Sequence, residues 1–234
     1  MDREQIRDNL LRVQERVAAA ARKAGRRSAE ITLIGISKTK PAEAIRAAYE
    51  AGLRHFGENR VQEWEGKRAA LGDLQATWHL VGHLQSNKAA RAAGLFHSVD
   101  SLDDFALAQR LERAREGPND ARKLRVLLEV RVEAEESKSG VKVEEVAALA
   151  EKVVALSHLE LTGLMCIPPF LEDTEKVRPY FRRLSELRDS LVRKLGRDLP
   201  VLSMGMSHDF EVAIEEGTTE VRVGTAIFGS RAAK

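Results

Sequence analysis

The sequence predicts an α/β fold: a closed (β/α)8 TIM barrel of parallel strands, with an extra amphipathic helix ahead of it. Three observations carry that expectation. Eight short apolar segments follow one another along the chain, most of them separated by helical stretches. The length, 234 residues, is close to what eight βα units require. No Gly-x-Gly-x-x-Gly follows the first apolar segment, as it would in a dinucleotide-binding doubly wound sheet, which is the alternative architecture.

Taken in order, residues 3–23 place Ile6, Leu10, Val13, Val17 and Ala21 at helical spacing, and Gly25 supplies the stop. Residues 31–37 form the first strand, short, β-branched and apolar on both faces, as a strand buried on both sides must be. Pro41 then opens a helix. The remaining strands are expected at 54–56, 77–81, 96–99, 124–132, 159–165, 201–204 and 220–223. The most polar stretch, 113–122, reads as a surface loop, and no low-complexity linker divides the chain. One domain over residues 1–234 is therefore expected.

Composition narrows the class of function. Apolar residues make up 43% and charged residues 32%, a balance that suits a folded soluble protein. Thirty-eight Lys and Arg against 36 Asp and Glu leave a net charge of +2, and aromatics are only 5%. That is too little positive charge and too few stacking platforms for a nucleic-acid partner. The single cysteine, Cys166, has no intrachain partner for a disulfide or a zinc pair, which points to a reducing compartment. The charged N-terminus lacks the apolar stretch of a signal peptide, and no run reaches membrane-spanning length. A cytoplasmic protein with no membrane partner is expected.

In a barrel of this kind chemistry belongs at the C-terminal strand ends. The segments there are polar: Ser37-Lys38-Thr39-Lys40-Pro41, Gly57-Glu58-Asn59, Gly82-His83-Leu84-Gln85-Ser86-Asn87-Lys88, Glu136-Ser137-Lys138-Ser139-Gly140, Gly205-Met206-Ser207 and Arg222-Val-Gly224-Thr225. Lys38 stands where an apolar strand meets the mouth. Partial desolvation there disfavours the ammonium and yields an amine suited to Schiff-base formation, against the plainer reading of a solvated lysine anchoring the next helix. Lys40 shares its parity but sits farther along. Gly205-Met-Ser207 and Gly224-Thr225 fall after the last two strands, where barrels bind phosphate, although each could be an ordinary turn or cap. Arg222, inside the final strand, should point into a polar upper layer toward a ligand or a carboxylate.

Other candidates read more simply. His79 and His83 are four apart in strand-like context, which denies them the shared helical face of a zinc site; no metal is expected, and His79 could instead stack or hydrogen-bond at the mouth. His55, His97, His158 and His208 read as polar loop or core-edge residues. Asn59 is either the N-cap of the following helix or a ligand contact. Cys166 reads as a buried, inert thiol.

Together these segments resemble the pyridoxal phosphate homeostasis family of PLP-binding proteins along nearly the whole chain. The resemblance is carried by Ile36-Ser-Lys-Thr-Lys-Pro41, Phe56-Gly-Glu-Asn59 with Gln62-Glu63, Trp78-His79, Gly82-x-Leu84-Gln85-Ser-Asn-Lys88, Ser137-Lys-Ser-Gly140, Gly163-Leu-Met165, Leu202-Ser-Met-Gly-Met-Ser207 and Arg222-Val-Gly-Thr-x-Ile-Phe-Gly229. Departures are small: His83 fills the variable place of its motif, and Leu80 and Ala92 are smaller than the family suggests. The resemblance implies a barrel of the alanine racemase N-terminal type. It implies that Lys38 links covalently to pyridoxal 5′-phosphate, that Ser207, Gly224 and Thr225 hold its phosphate, that Arg222 faces the pyridine nitrogen, and that Asn59 and His79 lie near the ring. The implied function is reversible carriage and buffering of the cofactor, which affects amino-acid and keto-acid balance. No catalytic residue is implied, the chain is expected to be a monomer, and PLP-dependent apo-enzymes are the expected recipients. A small racemase or lyase is the rival. Only five residues follow Gly229, too few for the second domain that completes a racemase site, and Arg222 would weaken the ring as an electron sink. A cofactor-independent binding module, in which Lys38 is incidental, is the third reading.

Overall fold

The computed structural model describes residues 2–116, 122–133 and 139–230. Helix α1 (Arg3–Lys23) is followed by β1 (Thr32–Ile36), α2 (Ala42–Glu50), β2 (His55–Glu58), α3 (Val61–Leu71), β3 (Thr77–Leu80), α4 (Ala89–Leu95), β4 (Ser98–Leu102) and α5 (Phe105–Arg115). The second half holds β5 (Leu124–Arg131), β6 (Val141–Lys142), α6 (Val143–Val154), β7 (Leu159–Met165), α7 (Arg178–Leu195), β8 (Val201–Met206), α8 (Phe210–Glu215), β9 (Glu220–Val223) and α9 (Thr225–Phe228).

Strands β1, β2, β3, β4, β5, β7, β8 and β9 pair in that order, all parallel, and β9 returns to β1, closing an eight-stranded barrel. The two-residue β6 adds to the end of β5 outside the ring and was not legible as a strand. Helix α1 begins as expected and is fixed by a capping box, Asp2 accepting from Gln5 N–H while the Gln5 side chain accepts from Asp2 N–H. Ile6, Leu10, Val13, Val17 and Ala21 are all buried. That face packs against α2, α8 and α9, so the extra helix braces the seam where the barrel closes.

Register assigns the inner face. Ile34 lies beside Arg222, Gly57 beside His79, His79 beside Ser98, and Ser203 beside Glu220. By alternation His55, Asp100 and Arg125 share that face, so much of the interior is polar and charged. Strand β4 therefore runs on through Asp100 and Ser101 to Leu102, past the apolar stretch at which the sequence placed its end. On the outer face Phe56, Trp78 and Trp64 stack, with ring centroids 5.2 and 3.6 Å apart, and the Trp64 indole donates to Leu95 O. This wedge sets α3 firmly against β2 and β3.

Candidate functional site

Lys38 is half-buried in the turn that ends β1, on the parity of Ile34 and Ile36. The next residue, Thr39, has φ of 63°, a left-handed conformation that costs a β-branched residue about 1–3 kcal/mol and persists only when its surroundings impose it. Those surroundings are a cluster in which Ser37 and Glu58 are buried and Lys67 and Glu63 are half-buried. Lys67 Nζ on α3 donates to Ser37 O at 2.9 Å, to Glu58 Oε1 at 2.8 Å and to Glu63 Oε1 at 2.7 Å. Glu63 Oε1 also accepts from Thr39 N–H, and Ser37 Oγ donates to Glu58 Oε1 at 2.7 Å. Burial pushes the Glu58 carboxyl up, opposed by Lys67 and Ser37.

On the neighbouring strand, Gly224 packs against Ile36; a β-carbon at 224 would stand 3.4 Å from that of Ile36. Lys38 is thus two residues, about 7 Å of strand, beyond Gly224 across the β1–β9 seam. Ser207 Oγ accepts from Gly224 N–H at 3.2 Å and Ala226 N–H at 3.4 Å, joining the loops after β8 and β9. Gly205 makes the first of these loops possible: its φ is 88°, and a β-carbon would lie 2.6 Å from that of Ala213. Asp209 accepts from Met206 N–H at 2.6 Å, and burial pushes its carboxyl up, opposed by that bond and by Arg222. Thr225 is exposed at the start of α9. Lys40 is not a second amine at the mouth: its Nζ donates to Phe228 O at 2.8 Å and Gly229 O at 3.0 Å, closing the end of α9.

Arg222 is buried, as its strand position predicted, but its partners are a hydroxyl and a carbonyl rather than a carboxylate. Nη1 donates to Ser203 Oγ at 2.9 Å and Nη2 to Cys166 O at 2.8 Å. The second contact carries the guanidinium toward the end of β7. Cys166 itself is buried and its thiol is pushed by burial up to about 12, an inert group.

Asn59 is half-buried one residue past β2, and Gly57 pairs with Ile36, so Asn59 reaches the height of Lys38 on the side opposite Gly224. It is not the N-cap of α3; that place falls to Arg60. Asn59 is held by the close approach of Gly82, where a β-carbon would meet Asn59 O at 2.4 Å. His79 lies one layer lower, 1% exposed, and both ring nitrogens are engaged. Nδ1 is 3.1 Å from Asp100 Oδ2 and Nε2 is 3.1 Å from His55 Nδ1. Burial pulls the His79 pKa down, but the charge and hydrogen bond of Asp100 outweigh it, and the net shift is upward. His55 is driven down to about 4, by burial first and then by the charge of His79. His55, neutral, can accept on Nδ1 from His79 Nε2, while His79 Nδ1 faces the Asp100 carboxylate.

The mouth therefore assembles Lys38, Asn59, Ser207, Gly224 and Thr225 around the strand ends, with Arg222 and His79 beneath them. His83 is apart, exposed and 3.6 Å from Asp103. His79, Asp100 and Glu220 bring three possible ligand atoms within 4.8 Å of one another, a cluster the sequence did not suggest, yet both His79 nitrogens are already hydrogen-bonded. Glu136, Ser137 and Lys138 lie outside the described residues. A cavity of about 500 Å3 bordered by Thr77, Phe96 and His97 lies at the opposite, N-terminal end of the strands, away from all these groups. Sequence reasoning named Glu58, Glu63 and Gly82 only as parts of motifs, with no role of their own, and missed Lys67. The Glu63–Lys67 i,i+4 spacing on a helix and the charge at the end of a strand were the available signals.

Comparison with known proteins places the chain first in a class. Residues 1–232 match the family of alanine racemase N-terminal domains. An alanine racemase from Corynebacterium glutamicum shares the fold alone, at a TM-score of 0.70 and 20% identity, over 99% of this chain and 62% of its own. Within that class the chain belongs to the pyridoxal phosphate homeostasis protein family. It is 49% identical over 224 residues to the pyridoxal phosphate homeostasis protein of Aquifex aeolicus, covering 96% of this chain and 97% of that one. PipY of Synechococcus elongatus, solved with PLP bound, is 38% identical with a TM-score of 0.82, over 93% of this chain and 100% of its own.

Proposed function

We propose that this chain binds pyridoxal 5′-phosphate reversibly through Lys38 and serves in its homeostasis, holding the reactive aldehyde for PLP-dependent apo-enzymes rather than turning over a substrate. The observation that supports this best is the convergence of the Lys38 turn and the Ser207–Gly224 loop pair on adjacent strands. Bound, the cofactor supplies an electrophilic aldehyde and an anionic phosphate. The donor set suits both. The Ser207 hydroxyl, whose oxygen accepts from the amides of Gly224 and Ala226, marks a cluster of donors suited to a phosphate that would take the place of that oxygen, and Gly224 leaves the approach open. Lys38 supplies the amine. Arg222 presents a donor and a positive charge below the mouth, which would disfavour protonation of a facing ring nitrogen and so weaken the electron sink that carbanion chemistry needs. Asn59 bounds the opposite side.

Membership of the family extends the same reading to the rest of the protein: one PLP-binding barrel over residues 1–234, monomeric and cytoplasmic. Among the described residues no helix is long and apolar enough to cross a membrane. A racemase or lyase activity is the second reading, supported by the shared fold of the racemases.

The test is an absorption spectrum of the protein with PLP, before and after borohydride reduction, followed by peptide mapping. The expected result is a visible band that reduction converts to a stable adduct on Lys38 and that Lys38→Ala abolishes. An adduct on another lysine, or an unchanged band in Lys38→Ala, refutes the assignment. Turnover on a panel of amino acids would replace carriage with the second reading.

A further inference from the structure

We propose that Lys67 and Glu63 are positioning residues for Lys38, forming with Glu58 a clamp that holds both peptide groups flanking Lys38 and thereby aims its amine into the mouth. The proposal rests on the reading above and assigns a role to residues it leaves unused.

The geometry is specific. The peptide before Lys38 is held through its carbonyl, Ser37 O, which accepts from Lys67 Nζ at 2.9 Å. The peptide after Lys38 is held through its amide, Thr39 N–H, which donates to Glu63 Oε1. Both contacts converge on one ammonium, because Lys67 also binds Glu63 Oε1 at 2.7 Å. With its third contact to Glu58 Oε1 at 2.8 Å, Lys67 spends all three of its donors. Glu58 is fully buried and tied by Ser37 Oγ, so the hub is anchored to β2 as well as to α3. Its second oxygen has no hydrogen-bond partner among the described residues, and its first is bonded to Lys67.

Such a clamp has a reason to exist. Thr39 sits at φ of 63°, where a threonine does not rest unaided. Released, it would return to a negative φ, and the direction of the preceding Lys38 side chain would change with it. The clamp is therefore what converts a flexible lysine on a loop into an oriented amine. Helix α3 can bear that load because the Trp64–Trp78 stack fixes it against the barrel one residue away from Glu63.

The experiment separates linkage from holding. Wild type, Lys67→Met and Glu63→Leu are saturated with PLP, and the fraction of bound cofactor that borohydride fixes to Lys38 is measured. In parallel, each protein is titrated with 4′-deoxypyridoxine 5′-phosphate, which carries the phosphate and ring but no aldehyde. The clamp predicts a fall of at least about threefold in the linked fraction, with affinity for the deoxy compound within twofold of wild type. It further predicts that Thr39→Gly, which relieves the positive φ, restores at least half of the linked fraction lost in Lys67→Met. That rescue also guards against a variant that merely folds badly. Equal linked fractions in wild type and both variants overturn the clamp and leave the carrier reading intact; so does a parallel loss of deoxy-compound affinity without rescue. A wild-type protein that forms no link at all overturns the carrier reading itself, and the clamp with it.

Discussion

The two ends of the barrel interior are built differently. Beneath the mouth, His55, His79, Ser98 and Asp100 satisfy one another from adjacent strands, in a layer that is buried apart from the half-buried His55, and the arrangement follows directly from register. At the mouth the groups that face outward, Lys38, Asn59, Ser207 and Gly224, are half-buried and sit on turns. Their places depend on a disfavoured φ, on glycines that admit close backbone contact, and on side chains brought from neighbouring elements. The lower layer spends its polar groups on one another and so contributes to stability. The mouth instead gathers polar side chains on turns whose backbone is held in conformations that cost stability.

Substitutions should separate the two. The largest effect is expected in the lower layer: Asp100→Ala removes the carboxylate beside buried His79 and, at a pH where His79 holds its proton, should cost about 3–5 kcal/mol in urea unfolding. A stability equal to wild type would show that the pair is not ionised. Next, Gly82→Ala forces a β-carbon to within 2.4 Å of Asn59 O and should destabilise by about 1–3 kcal/mol, with a marked loss of PLP retention on desalting. Unimpaired retention would remove Asn59 from the site.

The pH dependence has a definite sign. His55 is neutral when folded, with a pKa near 4 against about 6.5 unfolded, so its contribution is intact above pH 6.5 and is lost as the pH falls from 6.5 through 4. With allowance for solvent screening of a half-buried ring, the loss should be about 1–2 kcal/mol, and His55→Gln should flatten that limb of a stability-against-pH curve. His79 acts oppositely: its raised pKa contributes below its unfolded value and fades as pH rises through the folded one. The smallest effect belongs to the mouth. Ser207→Ala should weaken PLP retention several-fold, about 1 kcal/mol, while leaving the unfolding midpoint of the apo-protein nearly unchanged. A large fall in that midpoint would make Ser207 a structural tie between loops rather than a ligand contact.

Much of this arrangement was legible beforehand, and unevenly. Helix α1 was readable because its five apolar positions recur with a period set by local geometry. Strand β4 was cut short at Val99 because an apolar run is a poor guide where the inner face is polar, and Asp100 belongs to that face. Arg222 was expected to meet a ligand or a carboxylate, and its protein partners are Ser203 and the carbonyl of Cys166, since which neighbour a long side chain reaches depends on strand register rather than on its own segment. Asn59 read equally as a cap or a contact, and the cap reading falls because α3 starts one residue later, after Arg60.

Patterns confined to a dozen neighbouring residues were enough to set out the order of strands and helices, the buried stripe of α1 and the polar segments at the strand ends, because periodicity and turn chemistry act over that range. Folding alone placed Lys67 thirty residues on from Ser37 yet within 2.9 Å of its carbonyl, and Ser207 against Gly224. Parallel strands bring distant loops to one end of the barrel, and the closing of β9 on β1 chooses which of them touch.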